Sequence, residues 1–312
     1  MAHPIPVVLD VDTGIDDALA LLLAARSPAL DLLAVTCVSG NAPVDQVVRN
    51  TLKVLDAAGA TDVPVARGAD RPLLEPARDA RHVHGEDGMG DLGLPDSARA
   101  PVGVHAIELL RATLEAAPSP VTLVPLAPLT NIALLLRTYP HVARHIERIV
   151  FMGGAAAIGN ATAAAEFNVW HDPEAAAIVL TSGLPVTMYG LDVFYEVTID
   201  EVAAERLAAS ADPAARLAGR LLKRQHGRHI ATIGDAGAVA AVIDPEGLTT
   251  SHHPVRIELA GTWTRGQTLV DRRSWVGDLE HDLHGLPAAM VDVALGVDVE
   301  RYRALFLAAV GG

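Results

Sequence analysis

One cysteine, two lysines and only four phenylalanines set the first limits on this 312-residue chain. A lone Cys37 excludes an internal disulfide. It lies in the apolar run Leu32-Leu33-Ala34-Val35-Thr36-Cys37-Val38, where a packed core thiol is expected. No uninterrupted apolar stretch approaches the roughly 18 to 20 residues of a membrane helix. Nothing resembling a basic region, apolar segment or cleavage site precedes the first strand, so no secretory signal and a cytoplasmic location are expected. Positive charge is also scarce, with 24 Lys and Arg against 38 Asp and Glu and a formal net charge of −14. That balance disfavours nucleic acid and anionic membrane surfaces as partners and suits a small neutral or cationic substrate. Without a linker, repeat or low-complexity tract, residues 1–312 read as a single domain.

Half of the residues are hydrophobic, and with no membrane span to fill they go into a core. Short β-branched runs at 7–10, 32–38, 63–66, 121–124, 148–152 and 186–189 read as buried strands. Between them, 16–26, 44–58, 104–116, 130–136 and 173–182 read as helices. Such alternation predicts an α/β fold, a mostly parallel central sheet with helices on both faces in an open, Rossmann-like arrangement. After 198 the pattern turns helical at 199–209, 214–233 and 237–243, before two late strands near 255–259 and 268–271. A long glycine-containing loop between Asp70 and Pro101, carrying His82-Val83-His84-Gly85-Glu86-Asp87-Gly88, reads as a mobile lid.

The chemistry concentrates at the first strand end. Asp10, Asp12, Asp16 and Asp17 put four carboxylates into eight residues directly after an apolar strand. Asp10 and Asp12 share a strand face, and Gly14 permits the tight turn that brings Asp16 and Asp17 to a helix start. An acidic first turn favours the helix dipole, but that does not need four acids. Crowded carboxylates are costly unless a hard cation or hydrogen-bond donors neutralise them, and an all-oxygen set suits Ca²⁺ or Mg²⁺ over zinc.

Other polar residues fall at further strand ends, where open parallel sheets bind ligands. They are Ser39-Gly40-Asn41, Pro125-Leu126-Ala127-Pro128 and Met152-Gly153-Gly154. Asn160, Glu166 and Asn168 together offer the donors and acceptors that a polyhydroxylated sugar would use. In Gly234-Asp235-Ala236-Gly237, Asp235 could cap the next helix or ligate a cation.

Six ordered blocks span nearly the whole chain. They are Asp10-Val-Asp-Thr-Gly-Ile-Asp-Asp, Ser39-Gly-Asn41, Pro128-Leu-Thr-Asn-Ile132, Met152-Gly-Gly154, Ala165-Glu-Phe-Asn-Val-Trp170 with Asp172-Pro-Glu-Ala-Ala176, and Thr264-Arg-Gly-Gln-Thr-Leu-Val-Asp271. In this order they resemble the inosine-uridine-preferring nucleoside hydrolase family.

The resemblance implies Ca²⁺-dependent hydrolysis of the N-glycosidic bond of ribonucleosides to ribose and free base, by a homodimer or homotetramer. It assigns Ca²⁺ to Asp12, Asp17, Asp235 and the backbone carbonyl of Leu126. Asp12 would also be the general base that deprotonates the attacking water. Asp16, Asn41, Asn160, Glu166 and Asn168 would hold the ribose hydroxyls, with Asp10 supporting the loop from behind. Two positions depart from the pattern. Gly234 stands where relatives often carry a histidine that protonates the departing base, leaving His84, His226 and His229 as candidates for that role. Phe194-Tyr195 stands where a histidine is common.

Two other readings compete. Loss of the histidine would fit a calcium-dependent nucleoside- or ribose-binding protein without turnover. A haloacid-dehalogenase-type phosphatase shares Asp10-Val-Asp12 and Ser39-Gly-Asn41, but its chemistry needs a lysine at the site, and only Lys53 and Lys223 exist.

Overall fold

Val7, Leu9 and Val11 enter one apolar core and Val8 enters another, the period-2 alternation of a strand covered on both faces. The structure is a computed structural model describing residues 3–227, 230–274 and 288–311. Its strands are β1 (Ile5–Val11), β2 (Leu30–Cys37), β3 (Val65–Arg67), β4 (Val121–Pro125), β5 (Ile146–Met152), β6 (Val186–Tyr189), β7 (Leu248–Ile257), β8 (Thr268–Val270) and β9 (Ala289–Val297). They form one sheet in the order β3-β2-β1-β4-β5-β6-β9-β7-β8. From β3 to β9 every neighbouring pair is parallel, and β7 runs antiparallel to both β9 and β8.

The helices divide between the two faces. Ile15–Arg26, Val44–Ala58, Pro213–His226, Ala236–Ile243 and the C-terminal helix Val299–Val310 pack on one core. Ala106–Ala116, Thr130–Thr138 and Pro173–Leu180 pack on the other. Ile15–Arg26 is apolar nearly all round because it is enclosed by the sheet, Ala236–Ile243 and neighbouring helices. Among the described residues no helix is long and apolar enough to cross a membrane.

The α/β class and mostly parallel sheet follow the sequence expectation, while its C-terminal third departs from it. The helix expected at 214–233 ends at His226, and β7 begins at Leu248, ahead of the expected 255. β9 and the C-terminal helix were not expected. Residues 289–297 are apolar enough for either state, and their strand form is set by pairing with β6 and β7. Strand order reverses between β1 and β4, the point at which open parallel sheets place a ligand crevice, at the carboxyl ends of the strands.

Candidate active site

Pro125 at the end of β4 pairs with Asp10, and the Leu126 amide donates to the Asp10 carbonyl at 2.8 Å, so β1 and β4 deliver their last residues side by side. Beyond β1 the chain turns at Gly14 into Ile15–Arg26. Asp17 reaches back in a capping box: its Oδ2 accepts from the Gly14 amide at 2.9 Å and its Oδ1 from the Asp12 amide at 3.1 Å. Asn41, after β2, clasps two acids at once. Its backbone amide donates to Asp12 Oδ2 at 2.7 Å, and its Nδ2 donates to Asp12 Oδ1 and Asp17 Oδ2, both at 3.1 Å. Asp12 approaches so closely that a Cβ at residue 40 would lie 2.0 Å from its Oδ2, which only glycine avoids.

Asp10 sits behind these residues. Its Oδ1 accepts from Thr36 Oγ1 at 2.6 Å and Asn131 Nδ2 at 2.8 Å, while its Oδ2 is buried without a partner. Burial outweighs those hydrogen bonds and lifts its pKa to about 7.

The second half of the crevice comes from β5 and the segment beyond it. Glu166 caps the short helix Phe167–His171, accepting from the Asn168 amide at 2.8 Å and the Val169 amide at 3.1 Å, and it also accepts from the Gly154 amide at 2.8 Å. Asn168 Nδ2 donates to the Leu126 carbonyl at 2.9 Å and the Met152 carbonyl at 3.1 Å, tying β4 to β5. Asn160 Oδ1 accepts from the Phe167 amide at 2.9 Å. Glu166 is 2% exposed, and burial raises its pKa to about 7.

Asp235 does not cap its helix through its side chain. It occupies the N-cap of Ala236–Ile243 yet makes no capping bond, and among the described residues its buried carboxylate accepts no hydrogen bond. Burial raises its pKa well above the ordinary carboxylate range, and Asp17, Asp16, Asp12 and Glu166 add to the shift in that order. Its charge therefore faces the other acids. Asp16 accepts from Gln225 Nε2 at 2.6 Å, and burial with the neighbouring Asp17 lifts it to about 7. Asp12 and Asp17 are raised in the same direction, first by burial.

Five buried carboxylates, Asp10, Asp12, Asp17, Glu166 and Asp235, and the half-buried Asp16 thus lie together, and among the described residues none forms an ion pair with Lys, Arg or His. Lys53 pairs with Asp96 at 2.9 Å and Lys223 with Glu205 at 3.8 Å. Neither supplies the lysine that a phosphatase would need. An oxygen-only set around an unpartnered buried Asp235 fits a hard divalent cation. Among the described residues no three of these side chains already converge on one ligating point, and Asn41 bridges Asp12 and Asp17 instead.

A family model described as inosine-uridine preferring nucleoside hydrolase matches residues 7–304. The chain belongs to this family. It is 43% identical over 282 residues to the pyrimidine-specific ribonucleoside hydrolase RihA of an Enterobacter species, covering 88% of this chain and 90% of that protein. Among solved structures, a plant nucleoside hydrolase superposes with a TM-score of 0.90 at 31% identity, covering 99% of this chain and all of that one. A purine-preferring ribonucleoside hydrolase from Gardnerella vaginalis gives 0.88 at 31% identity, with 98% of each chain covered.

Within this nucleoside hydrolase, Asp12, Asp17 and Asn41 are joined by hydrogen bonds, as are Leu126, Glu166 and Asn168 through the segment after β5, while Asp16 and Asp235 lie near the other acids electrostatically and Asn160 is beside Phe167. Two of the three histidine candidates lie among the described residues. His84 reaches the site's edge, where its Nδ1 accepts from the Ile15 amide at 3.2 Å, which in the neutral ring leaves the proton on Nε2. His226 ends its helix with Nε2 buried and without a hydrogen-bond partner, and its neighbour Gln225 is the residue that reaches Asp16. His229 lies outside the described residues.

The loop expected as a mobile lid is bonded to the body along its length. The Leu73 amide donates to Asp172 Oδ2 at 2.9 Å, the Arg78 guanidinium lies 4.4 Å over Trp170, and Asn50 Nδ2 donates to the Asp87 carbonyl at 2.8 Å. Arg224 and Arg220 then hold the carbonyls of Gly90 and Leu92 at 3.1 and 2.9 Å. Sequence reasoning missed Gln225 and Thr36 as supports. Asn131 stood in a motif block, but its reach to Asp10 was not anticipated.

Proposed function

We propose that this nucleoside hydrolase cleaves the N-glycosidic bond of ribonucleosides in a calcium-dependent reaction, with pyrimidine nucleosides as the preferred substrates. The observation that carries the metal assignment is Asp235, a buried carboxylate without a hydrogen bond that faces four other acids. Asp12, Asp17, Asp235 and the Leu126 carbonyl would hold the ion. Bound there, calcium would orient the attacking water and lower its pKa.

The residues of the chain supply the remaining steps. Asp12, fixed by the Asn41 amide and side chain, accepts a proton from the water as its oxygen attacks C1′. Asp16, Asn160, Glu166 and Asn168 bind the ribose hydroxyls through the acceptors and donors that their structural hydrogen bonds leave free, and Asn41 both holds Asp12 and borders the sugar. Breaking the bond builds positive oxocarbenium character on the ribose, so a carboxylate-rich crevice stabilises the transition state more than the neutral substrate. Base preference follows the stronger likeness, since the relatives at 42–43% identity are named pyrimidine-specific and the purine-preferring structure stands at 31%.

The test is metal removal. Dialysis against EDTA should abolish uracil release from uridine and added calcium should restore it, whereas an unchanged rate in the chelated protein would overturn the metal assignment. A protein that bound uridine with calcium but released no base would instead be the binding protein without turnover.

A further inference from the structure

A departing nucleobase needs a hydrogen-bond donor, and position 234 has no side chain to supply one. Gly234 adopts φ +52°, and a Cβ there would lie 2.7 Å from Asp16 Oδ1, so the Asp16 carboxylate fills the space that a side chain would need.

The chain brings another residue to this place. After β6, the Leu191 amide donates to the Gly154 carbonyl at 3.0 Å and Asp192 Oδ2 accepts from the Ala156 amide at 2.7 Å. These bonds lock the turn Leu191–Phe194 against the loop that leads to Asn160. Thr198 then forms an antiparallel bridge with Thr232, flanked by hydrogen bonds from the Ile233 amide to the Val197 carbonyl at 3.0 Å and from the Ile199 amide to the Ala231 carbonyl at 2.9 Å. The strand leaving Tyr195 and the strand arriving at Gly234 therefore meet at the same end of this pairing.

Tyr195 is 52% exposed, whereas Asp12 and Asp17 are fully buried and Glu166 is 2% exposed, so Tyr195 stands at the mouth and the carboxylates form the floor. Phe194, itself buried, holds the tyrosine ring edge-on with centroids 4.9 Å apart. Ile158, on the loop before Asn160, adds an exposed apolar side chain. A nucleoside whose ribose lies on the carboxylate floor must point its base outward, toward this rim.

We propose that the Tyr195 hydroxyl donates to the departing base, in the role that Gly234 cannot fill. The proposal rests on the nucleoside hydrolase reading and assigns a catalytic residue within it. As the C1′–N bond breaks, its electron pair goes to the base and the phenolic proton moves to a base nitrogen or oxygen. The water oxygen bonds to C1′, its proton passes to Asp12, and the tyrosinate recovers a proton from solvent at the open mouth. Partial burial, together with the nearby Asp16 and Glu166 carboxylates, holds the phenol above its ordinary pKa against a hydrogen bond from Asn160. It therefore carries its proton throughout the neutral range.

The experiment is steady-state kinetics of Tyr195→Phe on uridine and on 4-nitrophenyl riboside, whose leaving group needs no proton. The variant removes one hydroxyl from a half-exposed ring, and an unchanged melting temperature confirms its fold. We expect kcat on uridine to fall about 100-fold, KM to change less than about threefold, and the ratio of kcat/KM for nitrophenyl riboside to that for uridine to rise at least about tenfold. A ratio within about twofold of the unsubstituted protein would overturn the assignment, including the case where both substrates slow equally because Tyr195 only supports structure. If the unsubstituted protein cleaved neither substrate, the underlying reading would fail and the assignment with it.

Discussion

Gly234 shows how one residue constrains the chemistry around it. Its left-handed backbone and its contact with Asp16 Oδ1 leave no room for a β-carbon, so the Asp16 carboxylate and the glycine are mutually required. Gly234→Ala should therefore lose about 1 to 3 kcal/mol of stability in urea unfolding and raise KM for uridine as Asp16 is displaced. A variant within about 0.5 kcal/mol of the parent, with unchanged KM, would show that the backbone relaxes without cost. At this scale the sequence revealed residue types better than partners. Four acids after an apolar strand announce a charged site, because their repulsion has to be relieved. The groups that hold them are chosen by the fold: Asn131 meets Asp10 across 121 residues and Gln225 meets Asp16 across 209, separations that no local pattern records.

At the scale of elements, the short helix Phe167–His171 is a bracket between strands, and the proposed ribose contacts start from it. Glu166 caps it and holds the Gly154 amide, while Asn168 in its first turn joins β4 to β5 through the Leu126 and Met152 carbonyls. Both side chains are thus fixed before substrate arrives, and a rigid site built for hydroxyls leaves its own polar groups unpaired when one is missing. We expect 2′-deoxyuridine to be hydrolysed at least about 100-fold more slowly than uridine by kcat/KM, and comparable rates would remove the ribose assignment from this bracket. The strands that frame it were legible because β1, β4 and β5 are short apolar runs ending in polar or glycine residues. Glycine content, which suggested a mobile lid between Asp70 and Pro101, reports backbone freedom alone and not the bonds that tie this loop to the body. Its anchors, Asp172, Asn50, Arg220 and Arg224, lie on distant helices or at their caps.

The whole molecule carries the energetic consequence of burying five acids beside the half-buried Asp16. Asp10, Asp16 and Glu166 titrate near 7 in the folded chain, against about 4 when unfolded. Folding therefore favours their protonated forms. The stability gained this way is fully present below the unfolded value and is lost as pH rises through about 7. The metal-free protein should accordingly melt several degrees lower at about pH 8 than at about pH 5. Saturating calcium should raise the melting temperature more at the higher pH, because it binds the ionised set. A metal-free melting temperature that climbed across this window would contradict the burial of uncompensated carboxylates. The most direct measurement is uracil and ribose release from uridine by the calcium-loaded protein and by Asp12→Asn. We predict equimolar products from the parent and a rate at least about 1,000-fold lower in the folded variant, since Asp12 is proposed as both general base and metal ligand. No release by the parent, or an Asp12→Asn rate equal to it, would contradict ribonucleoside hydrolysis at this crevice.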